Sequence, residues 1–467
     1  MSKTDKSAAK SVFVCQECGK ESLRWLGRCP DCQQWNSFVE TRVTAAVTSS
    51  RPMNPLSPPL ELSQVTTEAA DRLPVPIAEF SRVLGGGLVT GSLVLISGDP
   101  GIGKSTLLLQ ASASMANSRN KVVYVTGEET AHQIKLRAER LGLTGEGLFI
   151  MAETDLDAVL DQAENVGPGM LVVDSIQTVY SRGMESTPGS ISQVRECTVR
   201  LMQWAKLRGV PVLISGHVTK EGAIAGPRVL EHIVDVVLYL EGEPFSAYRL
   251  LRSVKNRFGS TNEVGVFEMK EQGMVEVENP SKAFLSQRGA EAIGSAVVPT
   301  IEGSRPLLVE IQALTTPNSY GQPRRTANGV DFNRLLVVTA VLTKRVGLKL
   351  GNQDVMVNVT GGLRVGEPAA DLGMALAIAS SCRDMEVAPR TAAFGEVGLS
   401  GELRTASQME RRLGEAARLG FTRCIVPKAG DSIVPRKDIE VAAVGSLREA
   451  IGLGLVWKGK KSRENPP

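Results

Sequence analysis

The stretch Ser97-Gly98-Asp99-Pro100-Gly101-Ile102-Gly103-Lys104-Ser105-Thr106 constrains the fold of this chain more than any other. It follows the apolar run Leu93-Val94-Leu95-Ile96 and precedes Leu107-Leu108-Leu109-Gln110, so it reads as strand, glycine turn and helix start. In that setting the G-x-x-x-x-G-K-S spacing has a physical task. Gly98, Gly101 and Gly103 let the backbone curl with its N–H groups inward, and the new helix adds the positive end of its dipole. Lys104 is placed to reach the outer phosphates of a nucleoside triphosphate and the Ser105 hydroxyl to ligate Mg²⁺. The loop from Gly98 to Thr106, with Asp99, Pro100 and Ile102 between the glycines, is the expected ATP and Mg²⁺ site of an α/β core.

A chain of 467 residues has room for about three domains. Its 42% hydrophobic and 22% charged residues fit a globular protein, and no run approaches the roughly 18 consecutive apolar residues of a membrane helix. The start, Met1-Ser2-Lys3-Thr4-Asp5-Lys6, lacks the apolar segment of a secretory signal, so the expected location is the cytoplasm, with no membrane partner. A net charge of +3 is too mild to announce nucleic acid by itself and leaves that task to local patches.

Four of the seven cysteines fall as two knuckles, Cys15-x-x-Cys18 and Cys29-x-x-Cys32. Four thiolates so spaced can enclose one Zn²⁺ tetrahedrally, and His132, His217 and His232 lie far along the chain, so the expected set is Cys₄. Residues 12–40 are too few to bury a core of their own without the metal. The competing use, a redox dithiol, needs one Cys-x-x-Cys beside a βαβ unit. The short interval between knuckles suits a compact zinc ribbon or rubredoxin-like pair. Trp25 and Trp35 either cover the metal or stand exposed to stack on a base. Cys197, Cys382 and Cys424 stand alone and read as small apolar core residues. Residues 41–66, rich in Thr, Ser and Pro without a period, read as a flexible linker.

The ATPase core is expected over residues 67–280. Val122-Val123-Tyr124-Val125-Thr126 is a second apolar strand, followed by Gly127-Glu128-Glu129. A carboxylate just beyond a strand can polarise an attacking water, and it can equally open the next helix; spacing does not choose between Glu128 and Glu129. Leu171-Val172-Val173 leads to Asp174, positioned to hold Mg²⁺ through water. Residues 181–190 read as a mobile polar loop. The strand Val210–Ser215 leads into a stretch where His217 could sense phosphate and Lys220 touch a nucleic-acid backbone, or where both are simply solvated.

The order of phosphate loop, acidic second strand and Asp174 strand resembles the RecA/DnaB type of ATPase core. With the Cys₄ module and Lys255-Asn256-Arg257-Phe258-Gly259, the whole chain resembles the bacterial RadA (Sms) family of DNA-repair proteins. In that family the pentapeptide is a signature motif, and similarity to hexameric helicases implies that Lys255 and Arg257 reach the ATP of the neighbouring subunit. On the RecA pattern Glu128 corresponds to the water-activating acid. The resemblance further implies a homo-oligomer, with a hexamer expected, acting on single-stranded or branched DNA. It also implies a DNA-dependent ATPase promoting branch migration and strand processing with the recombinase RecA.

Residues 285–455 resemble the α+β domain of Lon-type peptidases, itself similar to a ribosomal-protein fold. Leu307–Leu314 reads as a strand, Asp331–Arg345 as a helix and Gly395–Leu403 as a hairpin. The peptidase chemistry does not carry over. The turn Glu367-Pro368-Ala369-Ala370-Asp371 has no serine, and Arg411-Arg412 stands where a lysine base would be needed. The loop Tyr320–Arg325, with Arg334, Lys344 and Arg345, offers cations for phosphates unless it is ordinary solvated surface. Residues 456–467 form a basic tail. The rival reading is an ATP-gated scaffold or signalling protein with a RecA-type core and no DNA-motor activity.

Overall fold

The unbroken apolar run at Leu93–Ile96 becomes a central strand because both its faces are covered. Leu93 and Leu95 pack with Val173, Ile214 and Trp204 on one side, and Val94 and Ile96 with Tyr124, Val172 and Leu107 on the other. The computed structural model in which this is seen describes residues 10–15, 20–31, 33–43, 61–64, 72–184, 186–217, 230–242, 246–285, 293–318, 321–428 and 436–456. Cys18, Cys32, Lys220, Tyr320, most of the 41–66 linker and nearly all of the 456–467 tail lie outside those residues. The chain divides into two units, residues 1–241 with 249–276 and residues 242–248 with 277–467.

In chain order the first unit holds β1 (Lys10–Cys15), β2 (Glu21–Ser22) and β3 (Phe38–Val43), then a short pair β4 (Arg72–Leu73) and β5 (Leu88–Val89). There follow β6 (Leu93–Gly98), β7 (Val122–Thr126), β8 (Leu148–Ala152), β9 (Met170–Asp174), β10 (Val212–His217), β11 (Val236–Glu241), β12 (Tyr248–Asn256), β13 (Val264–Lys270) and β14 (Gly273–Glu276). The helices are α1 (Ala78–Leu84), α2 (Lys104–Met115), α3 (Ala131–Arg140), α4 (Leu156–Val166) and α5 (Ile191–Arg208). β1, β2 and β3 form a small antiparallel sheet. The nine later strands form one sheet in the order β14-β13-β12-β11-β6-β10-β9-β7-β8. From β11 to β8 every pair is parallel, while β11–β12 and β13–β14 are antiparallel. In such a sheet ligands bind beyond the carboxyl ends of the parallel strands, which is where the phosphate-loop sequence lies.

In the polar stretch 181–190, described apart from residue 185, the buried side chain of Gln193 accepts from Ser181 N (3.0 Å) and donates to Ser186 O (3.0 Å). A buried amide satisfied by loop backbone holds that backbone in place.

The second unit is α+β. Its seven-stranded mixed sheet has the order β17 (Arg325–Asn328), β18 (Gln353–Val359), β16 (Arg305–Pro317), β15 (Ser295–Glu302), β20 (Thr391–Ala393), β23 (Arg423–Pro427), β24 (Glu440–Val444). Two two-stranded pairs complete it, β19 (Glu386–Val387) with β25 (Leu455–Val456) and β21 (Glu396–Val397) with β22 (Leu403–Arg404). The helices are α6 (Pro280–Leu285), α7 (Phe332–Val341), α8 (Asp371–Arg383), α9 (Met409–Arg418) and α10 (Leu447–Gly454). α8 is buried from Asp371 to Ser380, as its nearly all-apolar sequence requires. The helix expected at 331–345 is capped by the Asp331 side chain and ends in a wider π turn at Leu342–Val346 before Gly347.

Candidate active site

The phosphate loop is shaped by its glycines. Gly101 (φ +74°) and Gly103 (φ +114°) adopt conformations that side-chain-bearing residues rarely take, and a Cβ on Gly98 would overlap the carbonyl oxygen of Leu240. α2 starts at Lys104 with Gly103 as its N-cap, so its free N–H groups face the loop. The Lys104 ammonium is buried and donates to Gly98 O (2.8 Å) and Asp99 O (3.0 Å). Burial pushes its pKa down, against the opposing charges of Asp174, Asp99 and Glu128. Those three acids around one lysine give the cleft the charge pattern of a cation-assisted phosphate site.

Asp174 ends β9 between β7 and β10, and a hydroxyl from each neighbour donates to it. Tyr124 Oη lies 2.6 Å from Oδ2 and Ser215 Oγ 2.5 Å from Oδ1. Burial, together with the Asp174 charge and hydrogen bond, raises the Tyr124 pKa well above its ordinary value, so the phenol stays a donor. Both hydroxyls fix the carboxylate's plane, and the sequence places both residues in strands without linking either to Asp174. Only the strand order, which sets β7 and β10 beside β9, makes them partners of Asp174.

The two glutamates after β7 have different surroundings. Glu129 is ion-paired with Arg137 of α3, whereas Glu128 Oε1 accepts from Ser175 Oγ at 3.0 Å. Glu128 therefore lies beside the end of β9, and its charge acts on Lys104. Lys104, Glu128 and Asp174 thus gather at one sheet edge, with Ser105 and Thr106 in the first turn of α2.

Lys255 and Arg257 are not part of that gathering. Lys255 pairs with Val237, which is level with Leu95, three residues before Gly98. Its ammonium donates to Val234 O (2.7 Å) and Glu231 O (2.5 Å), and burial and the neighbouring Arg257 lower its pKa. Arg257 N donates to Asp235 O (3.2 Å), and its guanidinium sits 3.4 Å from the buried Asp235 carboxylate, which also accepts from Leu93 N (3.1 Å). Lys255 and Arg257 occupy the amino-terminal edge of the parallel strands, away from their own phosphate loop.

In the N-terminal module Cys15 and Cys29 are both fully buried in one cluster with Phe38, against Phe13 and Leu26. Backbone bonds close each knuckle, Cys15 N to Lys20 O (2.9 Å) and Cys29 N to Gln34 O (2.9 Å). Two buried thiols from separate knuckles fit a zinc-thiolate site, and Cys18 and Cys32 would supply the other donors. Trp25 is 51% and Trp35 69% exposed; Trp25 Nε1 donates to the carbonyl of Phe38, a member of the cysteine cluster (3.2 Å), and Trp35 lies under the Arg28 guanidinium (5.6 Å).

The second unit corrects part of the expected basic patch. Arg334 is ion-paired with the buried Asp371, and Arg325 donates to the carbonyls of Gln353 (2.5 Å) and Leu350 (2.9 Å). Arg324, Lys344 and Arg345 remain exposed. Arg412 is buried and binds Glu367 through two bonds (2.7 and 2.6 Å), with its guanidinium over Phe394 (5.5 Å). The turn before α8 therefore carries a structural ion pair. Among the described residues no helix is long and apolar enough to cross a membrane.

Three family models match the sequence: the rubredoxin metal binding domain at residues 13–40, the AAA domain at residues 57–223 and subunit ChlI of Mg-chelatase at residues 327–430. The chain is 51% identical over 452 residues to the DNA repair protein RadA of Bacillus subtilis, covering 96% of this chain and 99% of that protein. It is 50% identical over 455 residues to the DNA repair protein RadA of Listeria monocytogenes, with 96% and 99% covered. The corresponding protein of Streptococcus pyogenes serotype M6 is 51% identical over 445 residues, covering 95% and 98%.

Proposed function

The chain belongs to the RadA family of bacterial DNA repair proteins, with an AAA-type ATPase domain and an N-terminal zinc ribbon, and from that premise we propose that it is a DNA-dependent ATPase whose catalytic sites are completed between the subunits of a ring. The observation that carries this reading is the placement of Lys255 and Arg257 at the sheet edge opposite the phosphate loop of their own chain. Two cations of a signature motif that cannot serve the site in cis have a catalytic use in a neighbour's site.

In the proposed site Lys104 exchanges the carbonyls of Gly98 and Asp99 for the outer phosphates of ATP. Ser105 and Asp174 would hold Mg²⁺, which when bound offsets the phosphate charge. Tyr124 and Ser215 keep the Asp174 carboxylate oriented. Glu128 takes a proton from the attacking water as the water oxygen bonds to the γ-phosphorus. The bond to the bridging oxygen breaks, and ADP and phosphate leave. Lys255 and Arg257 of the adjacent subunit stabilise the charge developing on the γ-phosphoryl group, the role of an arginine finger.

The reading extends to a hexameric ring on single-stranded or branched DNA, promoting branch migration beside RecA in the cytoplasm. The test is steady-state ATP hydrolysis with and without single-stranded DNA over a salt series, beside Lys104→Ala and Lys255→Ala. Strong stimulation that falls steeply with salt and is lost in both variants supports a DNA motor. Hydrolysis indifferent to DNA would favour the ATP-gated scaffold.

A further inference from the structure

The end of β9 places one more hydroxyl at the site. Ser175 follows Asp174 directly, is 1% exposed, and donates its Oγ hydrogen to Glu128 Oε1 at 3.0 Å. Its backbone is held from two sides: its carbonyl accepts from Thr178 Oγ1 (2.8 Å) and Thr178 N (3.2 Å), and Ile176 N donates to Ser215 O of β10 (3.0 Å). The loop after β7 that carries Glu128 is pressed against the same turn. A Cβ on Gly127 would overlap the Thr178 hydroxyl, and Gly127 N donates to Asp174 O (3.4 Å).

From this geometry we infer that Ser175 is a positioning residue, whose hydroxyl sets the orientation of the Glu128 carboxylate relative to Asp174. The inference rests on the reading of Glu128 as the water-activating acid. A glutamate side chain on a loop has three rotatable bonds, and a general base must meet its proton within hydrogen-bond reach. A buried donor on the residue next to Asp174 removes much of that freedom. The same peptide thereby ties the orientation of the acid to the residue assigned to the metal. Asp174 and Glu128 then form one unit, joined through Ser175, rather than two acids that happen to share a cleft. Ser175 touches no substrate in this account, and its contribution passes wholly through Glu128.

That last point supplies the test, a double-mutant cycle on the full-length protein with Mg·ATP. Ser175→Ala should lower kcat by about 10- to 100-fold with the KM for ATP changed less than about twofold, the scale of a mispositioned catalytic group. Ser175→Cys keeps the side-chain shape while weakening the donor, and should fall in the same direction if the alanine variant folds poorly. Binding of a fluorescent ATP analogue reports folding in both. In a Glu128→Gln background, whose residual rate is read by single turnover, Ser175→Ala should cost nothing further. Wild-type turnover in both Ser175 variants, or an equal loss in the Glu128→Gln background, would overturn the inference while leaving Glu128 in place. Wild-type turnover in Glu128→Gln itself would remove the reading of Glu128, and the inference with it.

Discussion

Lys255 and Lys104 stand at opposite edges of one sheet. Lys104 bonds to Gly98 O at the carboxyl end of β6, while Lys255 is level with Leu95 and reaches away from it, to the carbonyls of Val234 and Glu231. Three strand residues are about 10 Å, and the two ammonium groups bond to carbonyls beyond opposite ends of the parallel strands, Gly98 and Asp99 for one and Val234 and Glu231 for the other. A single chain cannot bring both to one phosphate without remaking the sheet. Arg257 lies further still, beside Asp235 and Leu93.

Arg257→Ala should therefore leave ATP binding intact and remove hydrolysis. The expected result is a fluorescent-ATP Kd within about twofold of the parent and a turnover lowered by at least about 10³-fold, the scale of a missing arginine finger. Equilibrium binding and steady-state turnover on the same preparation check it.

The loop glycines differ in what surrounds them. At Gly101 an added Cβ meets nothing within 4 Å, so Gly101→Ala carries only the left-handed backbone cost of about 1–2 kcal/mol. At Gly103, φ is +114° and a Cβ would also crowd the methyl groups of Met274 and Met269. Gly103→Ala should cost about 2–4 kcal/mol and weaken nucleotide binding as well. Thermal unfolding with and without ATP ranks the two.

How much of this was legible follows from how local each signal is. The strand, turn and helix around Lys104, the knuckles at Cys15 and Cys29, and the Glu396–Arg404 hairpin are set by residues adjacent in sequence, and their spacing exposes them. The hydroxyls of Tyr124 and Ser215 on Asp174 were not legible, because they meet it only through the strand order β7-β9-β10. Arg334 misled for the same reason: a cation reads as surface until the fold places Asp371 beside it. The bonds of the Gln193 side chain to the backbone of Ser181 and Ser186 were hidden in the same way, because the partners lie on a loop and a helix that only the fold brings together.

In the second unit, Glu367 has a depressed pKa. Burial alone would raise it, but the two hydrogen bonds from Arg412, the Arg412 charge and the Ile301 N–H outweigh that and hold it below its ordinary 4.5. A depressed acid stabilises the fold above its unfolded pKa and loses that contribution as pH falls through the folded value. The second unit should therefore hold its stability above about pH 5 and lose it progressively on acidification below 4.5. Arg412→Met leaves the half-buried Glu367 carboxylate unpaired and should cost about 2–3 kcal/mol near neutral pH, less than for a fully buried charge. Denaturant titrations across pH measure both effects.

Zinc should be bound at about one ion per chain. Cys29→Ser removes a buried thiol and should release it, unfolding the small β1–β3 sheet while basal ATP turnover persists. Metal analysis beside the turnover assay checks this, and unchanged zinc content would sink the assignment.

The central claim, a catalytic site shared by two subunits, is tested most directly by mixing variants. Lys104→Ala lacks the phosphate lysine but keeps Lys255 and Arg257, whereas Arg257→Ala keeps the phosphate loop and lacks the finger. Each alone should be inactive, and equimolar co-assembly should restore hydrolysis at about a quarter of the interfaces, those pairing an intact loop with an intact finger. No recovery in verified mixed assemblies, or full activity in Arg257→Ala alone, would contradict the account.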